Sequence, residues 1–257
     1  MSLTLFFAIY ATLLGLLVGS YLNVVIHRLP RRISTVLPRS RCPACGTAIR
    51  PRDNIPVFSF LALRGRCRAC GVRISWRYPA IEAATGLLFL ACFLRFGPTL
   101  EAPVAALFCA AMIALGGIDA EHLLLPDRIT LSGIAVGLAV QPAIRWAGLR
   151  DALIGAALGA GLLLAVWGIW YLLRREDGMG FGDVKMLAMI GAFLGWRSML
   201  VALFAGTLAG ATVGLVLLGS KRRGIRGKLP FGVFLAFGGL VALFFGEPIS
   251  TAYLRLL

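Results

Sequence analysis

The sequence predicts an all-α polytopic membrane protein of about eight transmembrane helices with a zinc-ribbon-like loop on one side. Three observations carry this. The chain is 59% hydrophobic and only 14% charged over 257 residues. Its apolar residues fall in long uninterrupted runs. Four of its six cysteines sit as two C-x2-C pairs in one hydrophilic stretch. A soluble domain carries about 25% charged and about 45–50% apolar residues. This chain cannot cover a soluble surface, and disorder, collagen and a secreted disulfide scaffold are excluded by the same composition.

Runs of roughly 17–25 apolar residues are candidate spans. In order they lie at about 3–26, 79–94, 102–118, 129–144, 152–173, 184–195, 199–219 and 231–254. The first lacks a basic leading region and a small-residue cleavage site, so it reads as a retained span rather than a signal peptide. The sixth is the shortest. Glycine is frequent (31 residues), as expected where helices approach closely in lipid.

The net charge is +15, from 26 Lys and Arg against 11 Asp and Glu. Distributed by loop, the bases sort to one side. All of the 26 except Arg95, Arg145, Arg150, Arg197 and Arg255 fall on the side of the loop at 28–77. The positive-inside rule makes that side cytoplasmic and puts both termini outside. The charge is then a record of topology. No nucleic-acid-binding motif accompanies it, so nucleic acid is not expected as a partner.

The cytoplasmic loop contains Cys42, Cys45, Cys67 and Cys70, spaced C-x2-C-x21-C-x2-C. Each pair offers two thiolates on a tight turn, which suits tetrahedral Zn²⁺. Gly46 and Gly71 follow the second cysteine of each pair, where a turn often needs positive φ. The alternative is disulfides or redox thiols, which a reducing cytoplasm disfavours. So small a loop cannot bury a core of its own, and a metal staple would supply what it lacks. Cys92 and Cys109 lie in spans and read as small buried hydrophobes.

With so few acids, their positions matter. Asp119 ends the third span, Asp127 follows Pro126, and Asp183 opens the sixth span behind Gly180-Phe181-Gly182. All lie at the cytoplasmic boundary, where a carboxylate is costly unless paired or functional. Taken singly, Asp119 could be a solvated helix-end carboxylate, and Asp127 and Asp183 could be N-caps. Taken as a pair, Asp119 and Asp183 could share a proton, one as base toward water and the other as acid toward a scissile carbonyl. Like charges placed close together titrate apart, as in aspartic proteases. Gly180 and Gly182 would let a substrate backbone come close. Other chemistries fare worse: His27 and His122 are the only histidines, and no H-E-x-x-H, G-x-S-x-G or Walker A pattern is present.

Together these residues resemble the bacterial type IV prepilin peptidases, of the GxGD aspartic peptidase kind. The resemblance is carried by residues 19–30 (GSYLNVVIHRLP), both cysteine pairs, Asp53-Asn54-Ile55-Pro56, residues 77–82 (RYPAIE), Leu125-Pro126-Asp127, residues 178–183 (GMGFGD) and Pro230-Phe231-Gly232. It implies an inner-membrane aspartic endopeptidase with its active site at the cytoplasmic face. Such enzymes remove the basic leader of type IV prepilins or type II secretion pseudopilins after a glycine. Members with the cysteine loop often N-methylate the new terminal residue with S-adenosylmethionine. By position Asp119 and Asp183 match the catalytic pair, with Asp127 as fallback for the first. Gly180, Gly182 and Lys185 would support the site, and the four cysteines match those tied to the amino-terminal region. The implied division is a first helix (1–26), a cysteine loop (27–78) and a peptidase domain in the membrane (79–257). Because the leader is basic, Glu121, Glu176 and Asp177 are expected to help form a local acidic patch. The alternatives are a peptidase without methylation, a transporter using the paired carboxylates, or a membrane scaffold presenting the zinc ribbon.

Overall fold

In a chain this apolar, glycine and proline decide where helices stop. The computed structural model describes residues 2–176, 180–219 and 229–255. Among these residues eight α-helices follow one another: α1 (Leu3–Arg28), α2 (Phe58–Ala62), α3 (Arg77–Phe96), α4 (Glu101–His122), α5 (Asp127–Ala139), α6 (Gly148–Arg174), α7 (Phe181–Gly219) and α8 (Phe231–Leu254). Among the described residues the only β features are two isolated bridges, Arg41 with Ala48 and Arg66 with Arg73. Ser2 caps α1 by accepting from Leu5 N–H at 3.3 Å, and Gly97, at φ 67, ends α3.

Every apolar run is helical, but six helices among the described residues are long and apolar enough to cross a membrane. The fourth run yields only the 13-residue α5, followed by a 3-10 turn at Gln141–Ala143. At about 1.5 Å per residue α5 reaches only about 20 Å, short of the roughly 30 Å hydrocarbon core. The sixth and seventh runs form one continuous α7 interrupted at Gly195 (φ 76, ψ 171). Its first leg is as short as α5.

The chain divides into two compact units, 1–114 and 115–257. In the first, α1 and α3 pack antiparallel with their backbones nearly touching. A Cβ added at Gly15 would lie 2.8 Å from Gly86 Cα, and one at Gly19 would lie 2.7 Å from Glu82 Cα. One turn further, buried Asn23 donates from Nδ2 to the carbonyls of Gly19 (3.3 Å) and Tyr78 (3.2 Å). Cys92 and Cys109 are buried thiols, their sulfurs 3.7 Å apart, as the sequence suggests for small core residues.

In the second unit α7 is the axis. A Cβ at Gly155 of α6 would lie 2.7 Å from Gly191 O, and one at Gly159 2.8 Å from Leu187 O. On the other leg a Cβ at Gly206 would lie 2.8 Å from Phe234 O of α8. Such contacts exist only between glycine surfaces, the usual means by which helices associate in lipid. The short α5 lies along the first leg of α7, Gly133 against Met189 and Gly137 against Ala192 and Phe193. The break at Gly195 frees carbonyls at the end of that leg. Buried Gln141 answers them, donating from Nε2 to Ala192 O (2.8 Å) and Phe193 O (3.0 Å).

A leucine at Gly155 should therefore force α6 and α7 apart. Overpacking of this kind costs about 1–3 kcal/mol, or several degrees of melting temperature. Gly161 on the same helix has open space, with nothing within 4 Å of where a Cβ would stand, so Gly161→Leu serves as control. Thermal melts in detergent should fall for Gly155→Leu and hold for Gly161→Leu; equal melts would refute the seam.

Candidate active site and metal centre

Asp119 lies in the last turn of α4 and is 5% exposed. Its carboxylate accepts the Val233 N–H, N to Oδ2 3.2 Å, at the start of α8. The first N–H groups of a helix lack intrahelical acceptors and carry the positive end of its dipole. Gly232 makes the room: a Cβ there would lie 2.8 Å from Asp119 Oδ2. Asp183 sits in the first turn of α7, 8% exposed, and its charge and that of Asp119 are near enough to repel directly. Leu125, buried in the α4–α5 link, fills the space between the starts of α7 and α8. A Cβ at Gly182 would lie 2.8 Å from Leu125 Cβ, and one at Gly232 3.1 Å from Leu125 Cδ1. Leu123, at φ 50, turns the chain sharply out of α4 so that Leu125 can reach this position.

This geometry answers the single-residue alternatives. Asp119 is buried rather than a solvated helix end. Asp183 is not an N-cap, because α7 already begins at Phe181. Asp127 is the first residue of α5, with Pro126 in the cap position and no side-chain cap bond. Asp127 pairs instead with Lys185 across α5 and α7, and its side chain is 61% exposed. Lys185 therefore neutralises the fallback aspartate and not the buried pair. Gly180 is open, its carbonyl accepting the Asp183 N–H at 3.2 Å. Glu121 lies 3.8 Å from His122. Asp177, Gly178 and Met179, and the basic cluster from Lys221 to Lys228, lie outside the described residues.

The cysteine loop is built from two matching turns. Cys42 N–H bonds Thr47 O and Gly46 N–H bonds Cys42 O; Cys67 N–H bonds Val72 O and Gly71 N–H bonds Cys67 O, all at 2.9 Å. Gly46 and Gly71 adopt φ 70 and 71, as the spacing requires. The four sulfurs converge within 4.8 Å of one another, and the thiols are free. That spread matches a tetrahedral ion with bonds of about 2.3 Å to sulfur. Hydrogen bonding with Thr47 holds the Cys45 thiol down at about 6, and the backbone N–H groups of Cys70 and Ala69 lower Cys67. Cys45 and Cys67 thus favour the thiolate, the form that binds metal, while burial and the neighbouring thiols push Cys70 up to about 11. Around it, Arg68 grips Asp53 through Nε (2.9 Å) and NH2 (2.7 Å), holding its carboxyl below the usual range. The loop is tied to α3 by Val57, strained at φ 62, whose N–H donates to buried Glu82 Oε2 at 2.7 Å.

Val233, Leu125, Gln141 and Glu82 are not identifiable as partners from sequence. Gly232 is the sole hint toward Val233.

Two family models match the chain: the bacterial peptidase A24 N-terminal domain over residues 13–96 and the type IV leader peptidase family over residues 106–215. The chain belongs to the type IV leader peptidase family. It is similar to a Burkholderia pseudomallei (strain 1026b) protein named prepilin leader peptidase/N-methyltransferase, 42% identical over 93% of this chain and 85% of the relative. A Pseudomonas putida protein of the same name is 39% identical over 98% of this chain and 95% of the relative. A Myxococcus xanthus (strain DK1622) relative, also so named, is 46% identical over 86% and 66%. No solved structure matches.

Proposed function

We propose that this protein is a membrane aspartic endopeptidase that removes the leader from type IV prepilins and N-methylates the new amino terminus, with S-adenosylmethionine as methyl donor. The observation that carries the peptidase reading is the burial of Asp119 and Asp183 together at the meeting of α4, α7 and α8. The methyl transfer is supported by the relatives, whose names carry both activities. The transporter alternative finds no support among them.

The chemistry divides between the two carboxylates. Asp119, which accepts the Val233 N–H, serves as the base and takes a proton from water. Asp183 holds the shared proton and gives it to the scissile carbonyl oxygen as water attacks the carbon. The tetrahedral intermediate then collapses, and a proton returned to the leaving nitrogen releases the new amino terminus. Gly180 and Gly182 leave the backbone bare where the substrate strand must pass. Asp127 and Lys185 brace α5 against α7 beside the pair.

Several finer points belong to the same proposal. The active site faces the cytoplasm and the protein lies in the inner membrane, in contact with its lipid, because the basic loops gather on that side. The protein substrates are type IV prepilins or type II secretion pseudopilins, and nucleic acid is not a partner. Residues 1–26, 27–78 and 79–257 act as anchor, metal loop and peptidase. Cys42, Cys45, Cys67 and Cys70 hold one Zn²⁺, which would cross-link the two turns of the loop.

Asp119→Asn and Asp183→Asn should each lower prepilin cleavage by at least about 10³-fold, in line with loss of a general acid or base, while the protein still inserts and folds. Asp127→Asn should retain most activity. Full cleavage by either of the first two variants would refute the assignment. Metal analysis of purified protein should give one zinc per chain, lost in Cys42→Ser/Cys67→Ser; an absence of bound metal in the wild type would refute the zinc site.

A further inference from the structure

At the end of the second unit remote from the carboxylates, α6 begins beside the break in α7. A Cβ at Gly195 would lie 2.6 Å from Ala147 Cβ and 3.6 Å from Asp151 Cβ, so the first turn of α6 closes directly on the break. Between them opens a cleft of about 430 Å³ lined by Arg150, Asp151, Ile154, Leu158, Trp196 and Arg197.

Its charges are unspent. Among the described residues no ion pair or hydrogen bond involves Arg150 or Asp151, and Arg197 only covers the Trp196 ring at 5.3 Å. Arg150 and Arg197 belong to the few basic residues on the sparse side of the membrane, where positive charge is disfavoured during insertion. Their convergence in one cleft calls for an anion. Asp151 beside them calls for a cation. Ile154 and Leu158 follow at one and two turns along α6 and carry the apolar floor away from the charged rim. Trp196 is of the type that settles at the headgroup level.

We propose that this cleft binds a phospholipid whose headgroup joins a phosphate to a primary ammonium, of the phosphatidylethanolamine type. The guanidinium groups of Arg150 and Arg197 take the phosphate in their planar forks. Asp151 accepts from the ammonium, and an acyl chain lies along Ile154 and Leu158. The apolar floor selects a lipid over free phosphate. Which leaflet supplies the lipid rests on the topology proposed above; the binding itself does not.

Native mass spectrometry of the full-length protein in detergent tests this, with phosphatidylethanolamine, phosphatidylcholine and phosphatidylglycerol of matched chains and inorganic phosphate as probes. Phosphatidylethanolamine should be retained best and inorganic phosphate not at all. Arg150→Gln/Arg197→Gln should weaken its binding about tenfold, roughly 1.4 kcal/mol. Asp151→Asn should bind the lipid but lose the preference over phosphatidylcholine, and it guards against a double variant that simply fails to fold. Equal retention by the double glutamine variant, a preference for phosphatidylglycerol, or binding of inorganic phosphate alone would overturn the proposal.

Discussion

Apolar helices surrounded by lipid gain little by burying apolar surface against one another, so they must hold together by close backbone approach. The rest of the second unit depends on that constraint. Gly155, Gly159 and Gly191 bring α6 onto the first leg of α7, and Gly206 and Gly238 bring α8 onto the second. The same economy of side chain recurs at the site. Gly182 admits Leu125, and Gly232 admits the Asp119 carboxylate. A methyl group at either place would have to displace a neighbour. The glycine seams that make the bundle also bring two acids from distant parts of the sequence, both buried, to the surroundings of Leu125.

Backbone satisfaction is the second constraint. A broken helix leaves carbonyls without their intrahelical donors. The break at Gly195 is tolerated because Gln141 is buried against it and donates to two freed carbonyls. At the other end, the free N–H of Val233 finds its acceptor in Asp119. One helix end is thus closed by a side chain with no further role in the chemistry proposed here, the other by the carboxylate that is proposed to act. In the first unit the cysteine loop has no comparable packing. Paired turns, the Asp53–Arg68 fork and the Val57–Glu82 bond organise it around four convergent sulfurs.

Much of this is legible in the sequence, and for physical reasons. Composition and run length reveal a membrane chain because lipid demands long apolar stretches. The C-x2-C-G turns reveal themselves because metal spacing and positive φ are local requirements, and Gly46 and Gly71 meet them. The scarcity of acids draws attention to Asp119 and Asp183, both of them buried in the folded chain. What sequence does not show is non-local. The short α5 and the break at Gly195 look like ordinary apolar runs, so the eight runs of the sequence fall, among the described residues, into six long helices and the 13-residue α5. The Val233 N–H that holds Asp119 lies 114 residues away, and only the neighbouring Gly232 hints at it. The Lys185–Asp127 pair is likewise hidden, although each residue stands out on its own.

The most direct test of the central claim, that Asp119 and Asp183 work as a pair with one proton between them, is the pH dependence of kcat/KM for prepilin cleavage. A shared proton requires one member ionised and the other protonated, so the rate should fall on both the acid and the alkaline side, giving a bell whose two limbs belong to the pair. A rate that rises with pH to a plateau and never declines would contradict it.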